Sequence, residues 1–356
     1  MMRISVTEGS VCQARLDRVD SIEALGNPID KSQIEIVQLG RGRMCGEILR
    51  GQIDDVAFSK GAFSLPARAT GVFSAEKMVF GAVLGCAGPS RSLGEAVVAG
   101  DLLVYPAGGE HDRVYEGSAT FAGLACAPSV ISTFFASEPE LADPEFWAKR
   151  RHFRFSNPAR PRTLERILDL LGRRLRDEKT FTQAGVEFWR RALLEAFVGR
   201  IAFEPRSGTE RTIPSSVRIV KEAEQYLKEN GDRAVHVSEL CEKIKIRRRT
   251  LFRAFDDAVG RAPIDFLRAK RLSMAHLKLC EAEVGGASVA EIAGELGFLE
   301  LGRFAQQYRN LFGECPSETL RRSSGSRGRR SAGKKGRPHR TIWHDSHNGR
   351  ADPSLA

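Results

Sequence analysis

The sequence predicts a multidomain α+β chain: an N-terminal antiparallel β-barrel with flanking helices, then an all-α domain with two helix-turn-helix motifs. Three observations predict it. Short apolar stretches cut by glycine recur from Ile34 to about Phe135, a texture of short strands. The apolar period becomes helical after Arg162. Between residues 217 and 320, one hydrophobic spacing occurs twice, 52 residues apart.

With 356 residues and 42% hydrophobic content, the chain is long enough for two cored domains and their extensions. The expected divisions are an N-terminal arm at 1–33, a barrel domain with helices at 34–202 and a linker at 203–216. A helical domain follows at 217–322, then a basic, disordered tail at 323–356. The linker assignment rests on Pro205, Gly208 and Pro214 in a stretch without periodicity. The tail is rich in Ser, Gly, Arg and Lys and lacks an apolar face. It also explains the net charge of +10: residues 321–356 hold ten Lys or Arg against two Asp, leaving 45 basic against 43 acidic residues elsewhere. Bulk charge therefore says little about nucleic acid, and the placement of single arginines must carry that argument.

In the barrel region the sharpest segment is Gly100 to His111, which fits G-x5-P-x-G-x2-H through Pro106 and Gly108. It reads as a strand, a glycine-assisted turn and a returning strand. That spacing resembles the second motif of cupin barrels, although Tyr115 stands where those often carry Asn. Metal-binding cupins add an H-x-H pair and a glutamate on an earlier strand. No histidine precedes His111, and one imidazole does not fill a metal site. The expectation is a cupin-like barrel without metal or cofactor, in which Tyr105 and His111 are candidate effector contacts.

Leu164, Ile167, Leu168, Leu171 and Leu175 form one helical stripe; Phe188, Leu193, Phe197 and Ile201, with Trp189 and Leu194 beside them, form another. These helices either cover the barrel or form a dimerisation surface. Seven scattered cysteines without a C-x-x-C pair read as buried free thiols in a reducing compartment. No secretion signal and no run of about 18 apolar residues occurs, so a soluble cytoplasmic protein is expected.

The helical domain opens with a helix at Val217–Glu229, stopped by Asn230 and Gly231. The first copy of the repeated spacing is Leu240, Ile244, Ile246, Leu251 and Phe255; the second is Ile292, Leu296, Phe298, Phe304 and Tyr308. Each keeps an i, i+4 apolar pair, breaks, and resumes with another such pair, and a small residue (Cys241, Ala293) lets the helices cross closely. That is a helix-turn-helix pattern, here at 237–258 and 288–312, whose second helix enters the major groove. Pro263 opens a long connecting helix to about Cys280, and Ser288 with Glu291 forms a capping box.

Residues 217–322 resemble the DNA-binding domain of the AraC/XylS family of bacterial transcription activators. The resemblance rests on Arg249-Thr-Leu-Phe-Arg253-Ala-Phe255, Gly260-Arg-Ala-Pro263, Phe266 to Leu272 with Ala275, and Val289-Ala-Glu-Ile-Ala293. Gly297-Phe298, Phe304 and Tyr308 to Pro316 complete it. It implies an effector-responsive activator that binds double-stranded promoter DNA, works with RNA polymerase, senses a small molecule, dimerises and is no enzyme. By family position Arg249, Phe252 and Arg253 meet base edges, with Arg248 and Thr250 beside them. An arginine fork suits guanine, and Phe252 suits a thymine methyl. Lys243, Lys245 and Arg247 are placed for phosphates. On the second helix the candidates are Gly302, Arg303, Gln306 and Gln307. Lys245 departs from the glycine frequent in the first turn, and Gly302 from the usual capping serine.

Two rivals belong to other classes: a metal-independent cupin-type enzyme, and a non-specific DNA-binding protein driven by the basic tail. Ser74-Ala-Glu-Lys77 imitates a catalytic S-x-x-K, but no companion element accompanies it.

Overall fold

The computed structural model describes residues 12–25, 32–149, 151–155, 159–177, 181–203, 208–210, 212–230, 235–282 and 286–322. The tail at 323–356 and linker residues 204–207 and 211 lie outside the described residues.

The N-terminal half is two antiparallel sheets. The larger runs, in spatial order, β1 (Cys12–Val19), β3 (Gly46–Ile53), β4 (Val56–Phe63), β11 (Ala119–Cys126), β6 (Met78–Cys86), β9 (Leu102–Tyr105), β12 (Arg151–Phe153) and β13 (Gly208–Glu210). The smaller runs β2 (Gln33–Gln38), β5 (Ala67–Val72), β10 (Glu110–Tyr115), β7 (Ser90–Ser92) and β8 (Glu95–Ala96). The expected barrel is thus two facing sheets, not closed into one hydrogen-bonded cylinder. The turn after Pro106, with Gly108 at φ 71°, does not make a hairpin: it carries the chain from β9 in one sheet to β10 in the other. Part of the expected N-terminal arm is structural, since β1 pairs along its whole length with β3. Part of the expected linker is structural too, because Gly208–Glu210 pairs with β12.

Helices α1 (Pro128–Phe134), α2 (Pro139–Ala142), α3 (Pro144–Trp147), α4 (Arg160–Asp177) and α5 (Gln183–Val198) cover the outer face of the larger sheet. Leu164, Leu168, Leu171 and Leu175 bury the α4 stripe; Leu193 and Phe197 bury that of α5. Phe188 departs from its expected stripe: it points outward, 64% exposed, in edge contact with the Trp189 ring. Of the seven free cysteines, only Cys12 and Cys126 are buried, and Cys45 is exposed, so thiol burial holds for a minority. Ser74, the imitation nucleophile, has its hydroxyl accepting from the backbone N–H groups of Glu76 and Lys77, an ordinary turn.

The C-terminal helices are α6 (Ser215–Glu229), α7 (Val237–Ile244), α8 (Arg248–Val259), α9 (Pro263–Glu281), α10 (Val289–Glu295) and α11 (Leu301–Phe312). They pack on the smaller sheet. Val37, Leu39, Leu93 and Val114 share one core with Val217, Val220, Leu240, Leu251 and Phe255. A second shared core joins Ile22, Leu25 and Met44 to Leu272, Leu279, Ile292 and Phe304.

Polar contacts fix this seam. The Arg68 guanidinium, 1% exposed, lies 3.0 Å from the carboxylates of both Asp112 and Glu224 and 5.0 Å from the Phe266 ring centroid. Lys270 adds pairs to Glu224 and Glu35 at 2.9 Å each. Burial works against the Glu224 charge, yet Arg68 and Lys270 outweigh it and hold the carboxyl below its ordinary range. The Gln38 side-chain amide donates to the Leu311 carbonyl at 2.8 Å, and the Gly42 N–H donates to the same oxygen at 2.9 Å. Among the described residues, none of the helices is long and apolar enough to cross a membrane.

Candidate nucleic-acid interface

Local chemistry sets both helix pairs. In the first, His236 caps α7 by accepting from the Ser238 N–H through Nδ1. The helix ends where Lys245 turns left-handed, at φ 57° and ψ 41°, and the Ile246 N–H closes the turn on the Cys241 carbonyl at 3.0 Å. Helix α8 then runs to Gly260, left-handed at φ 68°. Leu240, Leu251 and Phe255 are fully buried beneath it, as the repeated spacing requires. In the second pair, the Ser288 hydroxyl accepts from the Glu291 N–H while the Glu291 carboxylate accepts from the Ser288 N–H. Those bonds hold the Glu291 carboxyl below its ordinary range. Gly297 turns left-handed at φ 72°, α11 begins at Leu301, and Gly313 ends it at φ 73°. The N-cap of α11 is Glu300 and offers no side-chain bond. Gly302 therefore lies inside the first turn and not at the cap.

The burial of Leu251 and Phe255 throws the remaining α8 side chains outward. Arg247, Arg248, Arg249, Thr250 and Arg253 are exposed, as are Lys243 and Lys245 in the preceding turn. Phe252 is half-buried, with the Arg248 guanidinium 5.4 Å from its ring centroid. Arg253 is 84% exposed, and its Nε stands 3.7 Å from the Asp257 carboxylate, a contact too long and wet to hold it. Lys243 is drawn toward the Tyr226 ring, its Nζ 5.8 Å from the centroid. On α11, Phe304 and Tyr308 are buried while Gly302, Arg303 and Gln306 are exposed. Gln307 is half-buried in a hollow that it shares with Arg303, Arg268 and Arg271. Sequence reasoning missed the last two. Their signal was the second basic run, Arg268-Ala-Lys270-Arg271, in which only Lys270 turns into the seam.

The chain belongs to a known family. A family model described as a helix-turn-helix domain matches residues 240–322. The "XylDLEGF operon transcriptional activator 2" of Pseudomonas putida is 33% identical over 128 residues, which are 36% of this chain and 77% of that protein. This chain is a member of the AraC/XylS family of transcriptional regulators. The "Probable thc operon regulatory protein" of Rhodococcus erythropolis is 33% identical over 108 residues, 30% of this chain and 32% of that protein. Several other Pseudomonas putida activators are likewise matched over about a third of their own length, as with the 32% for one of them. Among solved structures, the AraC-like transcriptional activator CuxR aligns with a TM-score of 0.37 at 11% identity, over 75% of this chain and 96% of that one. A probable AraC family regulator from Rhodopseudomonas palustris CGA009 is 36% identical over 30% of this chain and 98% of that one, with a TM-score of 0.27. As an AraC/XylS regulator the chain is a DNA-binding protein of transcription control, and the exposed faces of α8 and α11 are its candidate reading surface.

The other expected contacts, Tyr105 and His111, lie on the wall between the two sheets. Both are buried, with ring centroids 5.2 Å apart, and the Phe73 ring packs 4.5 Å from His111. A third cluster crosses the seam. Glu23, His276 and Cys280 bring ligand-type atoms within 4.8 Å of one another, but the His276 Nδ1 already pairs with Glu23 at 2.6 Å and its Nε2 faces Glu314 at 3.5 Å. The ring also stacks with Tyr308. Burial pulls the imidazole down in pKa, yet its bonds to Cys280, Glu23 and Glu314 outweigh that and hold it at about 11. This is an ion-paired imidazolium that clamps the N-terminal unit to α9 and α11.

Proposed function

We propose that the protein is an effector-responsive activator of bacterial promoters, acting in the cytoplasm as a homodimer together with RNA polymerase. Arg248, Arg249, Thr250, Phe252 and Arg253 read base edges in one major groove, and Gly302, Arg303, Gln306 and Gln307 face the next. Lys243, Lys245 and Arg247 hold phosphates, which position the domain without reading sequence. The observation that carries this reading is the outward throw of Arg249 and Arg253 from a helix anchored by buried Leu251 and Phe255.

The two-sheet, cupin-like N-terminal unit is the sensor and the dimerisation unit, a binding module and not an enzyme, with no metal or cofactor. Exposed Phe188 on α5 and Leu170 on α4 favour the dimer reading of that helical layer. Communication with DNA follows from strand alternation. On β10, His111, Arg113 and Tyr115 line the space between the sheets, while Asp112 faces the seam and pairs with Arg68. A ligand that shifts β10 thereby shifts the mount of α6.

Sequencing the DNA fragments captured by the full-length protein from its own genome tests the reading. A bounded, recurrent site upstream of genes supports it. Uniform capture without a consensus would instead favour a non-specific binder driven by the basic tail.

A further inference from the structure

We propose that Leu299 and Leu301 meet thymine methyl groups in the second major groove, so that α11 selects a thymine-bearing element by apolar contact. The inference rests on the DNA-reading assignment above and names the base chemistry that α11 recognises.

The two helix pairs carry opposite chemistry at matched places. Aligning the buried Leu251 of α8 with the buried Phe304 of α11 sets Arg248 against Leu301 and Arg249 against Gly302. The turn before α8 ends in Arg247, whereas the turn before α11 ends in Leu299 and Glu300. Leu299 is 95% exposed, more than any other large apolar side chain among the described residues. Leu301 opens α11 and is 47% exposed. It stands three residues before Phe304, a spacing that shares a helix face with that buried ring, yet the core covers only part of it. Where the first pair offers guanidinium groups, the second therefore offers two leucines and a glycine.

The surroundings of these leucines point to DNA as their occupant. In a helix-turn-helix the first residues of the second helix meet base edges, and both leucines lie at that end of α11. Beside them, a hollow between α9 and α11 gathers Arg268, Arg271 and Arg303, cations suited to the phosphates that flank a groove. Arg271 is seated there over the Phe298 ring, 4.7 Å from its centroid, and donates to the Leu296 carbonyl at 3.3 Å. At Gly302 a Cβ would meet nothing within 4 Å, so no protein atom keeps this helix end from a close approach. Glu300, between the leucines, repels phosphate, which favours base edges over the backbone opposite this turn. Leucine neither donates nor accepts a hydrogen bond. Of the groups that base pairs present in the major groove, the thymine C5 methyl is the apolar one, and it is what a leucine can match.

Fluorescence anisotropy of the full-length protein on a duplex covering one footprinted site is the test. Replacing each thymidine in the stretch protected by α11 with deoxyuridine, one at a time, removes a methyl group and leaves base pairing intact. One or two of these positions should lose roughly fourfold in affinity, the factor for one buried group of that size. Leu301→Ala and Leu299→Ala should weaken binding to the thymine duplex severalfold and erase the difference between thymine and uracil. The slope against salt should stay unchanged, since no phosphate contact is lost. The exchange in the unaltered protein decides the matter even if a variant fails to fold. A protected α11 stretch indifferent to every exchange would overturn the thymine assignment while leaving α11 as a reading helix. Leucine variants that bind both duplexes as the parent does would also overturn it, and would turn these side chains toward a protein partner. No protection of an α11 stretch at all would overturn the DNA-reading assignment of α11 together with this proposal.

Discussion

Lys245 joins a left-handed backbone to a proposed phosphate contact, and a pair of substitutions separates the two. Its backbone is left-handed at φ 57° and ψ 41°, where a Cβ crowds the following carbonyl at a cost of roughly 1–2 kcal/mol. Its side chain is exposed beside the Arg247 to Arg249 run, where a DNA phosphate would lie. Lys245→Gly removes the steric cost but adds about 0.5–1 kcal/mol of unfolded-chain entropy, so the free protein should gain roughly 0.5–1 kcal/mol. The same change removes one phosphate contact, so affinity for every sequence should fall and the slope of log K against log salt should drop by about 0.9. Lys245→Ala removes the charge but keeps the left-handed Cβ. It should match the glycine variant in DNA binding without the gain in stability. Urea unfolding of the free proteins measures the first quantity, and fluorescence anisotropy on specific and random duplexes over a salt series measures the second. A glycine variant less stable than the parent would refute the strain argument. A changed base preference in either variant would refute the phosphate assignment.

Three further outcomes follow from the same geometry. Arg249→Ala or Arg253→Ala should cost roughly 1–3 kcal/mol and relax preference at one or two base pairs, read by selection from a randomised duplex pool; equal losses on specific and random DNA would make them phosphate contacts. Arg68→Ala should destabilise the seam by about 3–5 kcal/mol, because it strands the buried Asp112 and Glu224 carboxylates, and urea unfolding should then separate into two transitions. For His276, the folded pKa of about 11 stands above the ordinary 6.5. The clamp's stabilisation is therefore fully present below pH 6.5 and is lost as pH rises through 11. Unfolding free energy measured across that window should decline in the parent and flatten in His276→Gln.

How far the fold was legible depended on how local its determinants are. Helix limits in the C-terminal unit follow from neighbours in sequence: the Ser288 and Glu291 box, Pro263 at a first turn, Gly260 and Gly313 at left-handed stops. The exposed faces of α8 and α11 were readable for the same reason, since burial of i and i+4 dictates which side chains point out. Determinants that lie far away in sequence were not readable. Strand β1 carries an irregular burial pattern and is held by β3, about thirty residues later, so its segment read as a loose arm. Phe188 looked like a core residue by period alone, but none of the described residues covers it, and it stands exposed. Arg113 and Ser59 sit in strands of opposite sheets, and only the meeting of those sheets makes them neighbours of one cavity. The Arg68 network was likewise invisible, because it joins two units that the linker-like composition of residues 203–216 sets apart.

In the proposed function, one protomer reads two unlike sequence elements with α8 and α11. Both helices pack on α9, so on DNA they should reach successive major grooves on one side of the duplex, about one helical turn or roughly 10 bp apart. Their exposed residues differ throughout: Arg248, Arg249, Phe252 and Arg253 on one, Gly302, Arg303, Gln306 and Gln307 on the other. Hydroxyl-radical footprinting of the full-length protein on a captured promoter fragment tests this most directly. Two protected windows per protomer are expected on the same face, unequal in sequence, with the α8 window weakened selectively by Arg249→Ala. Protection of a single groove per protomer, or a compact inverted repeat in which both windows respond alike, would contradict it.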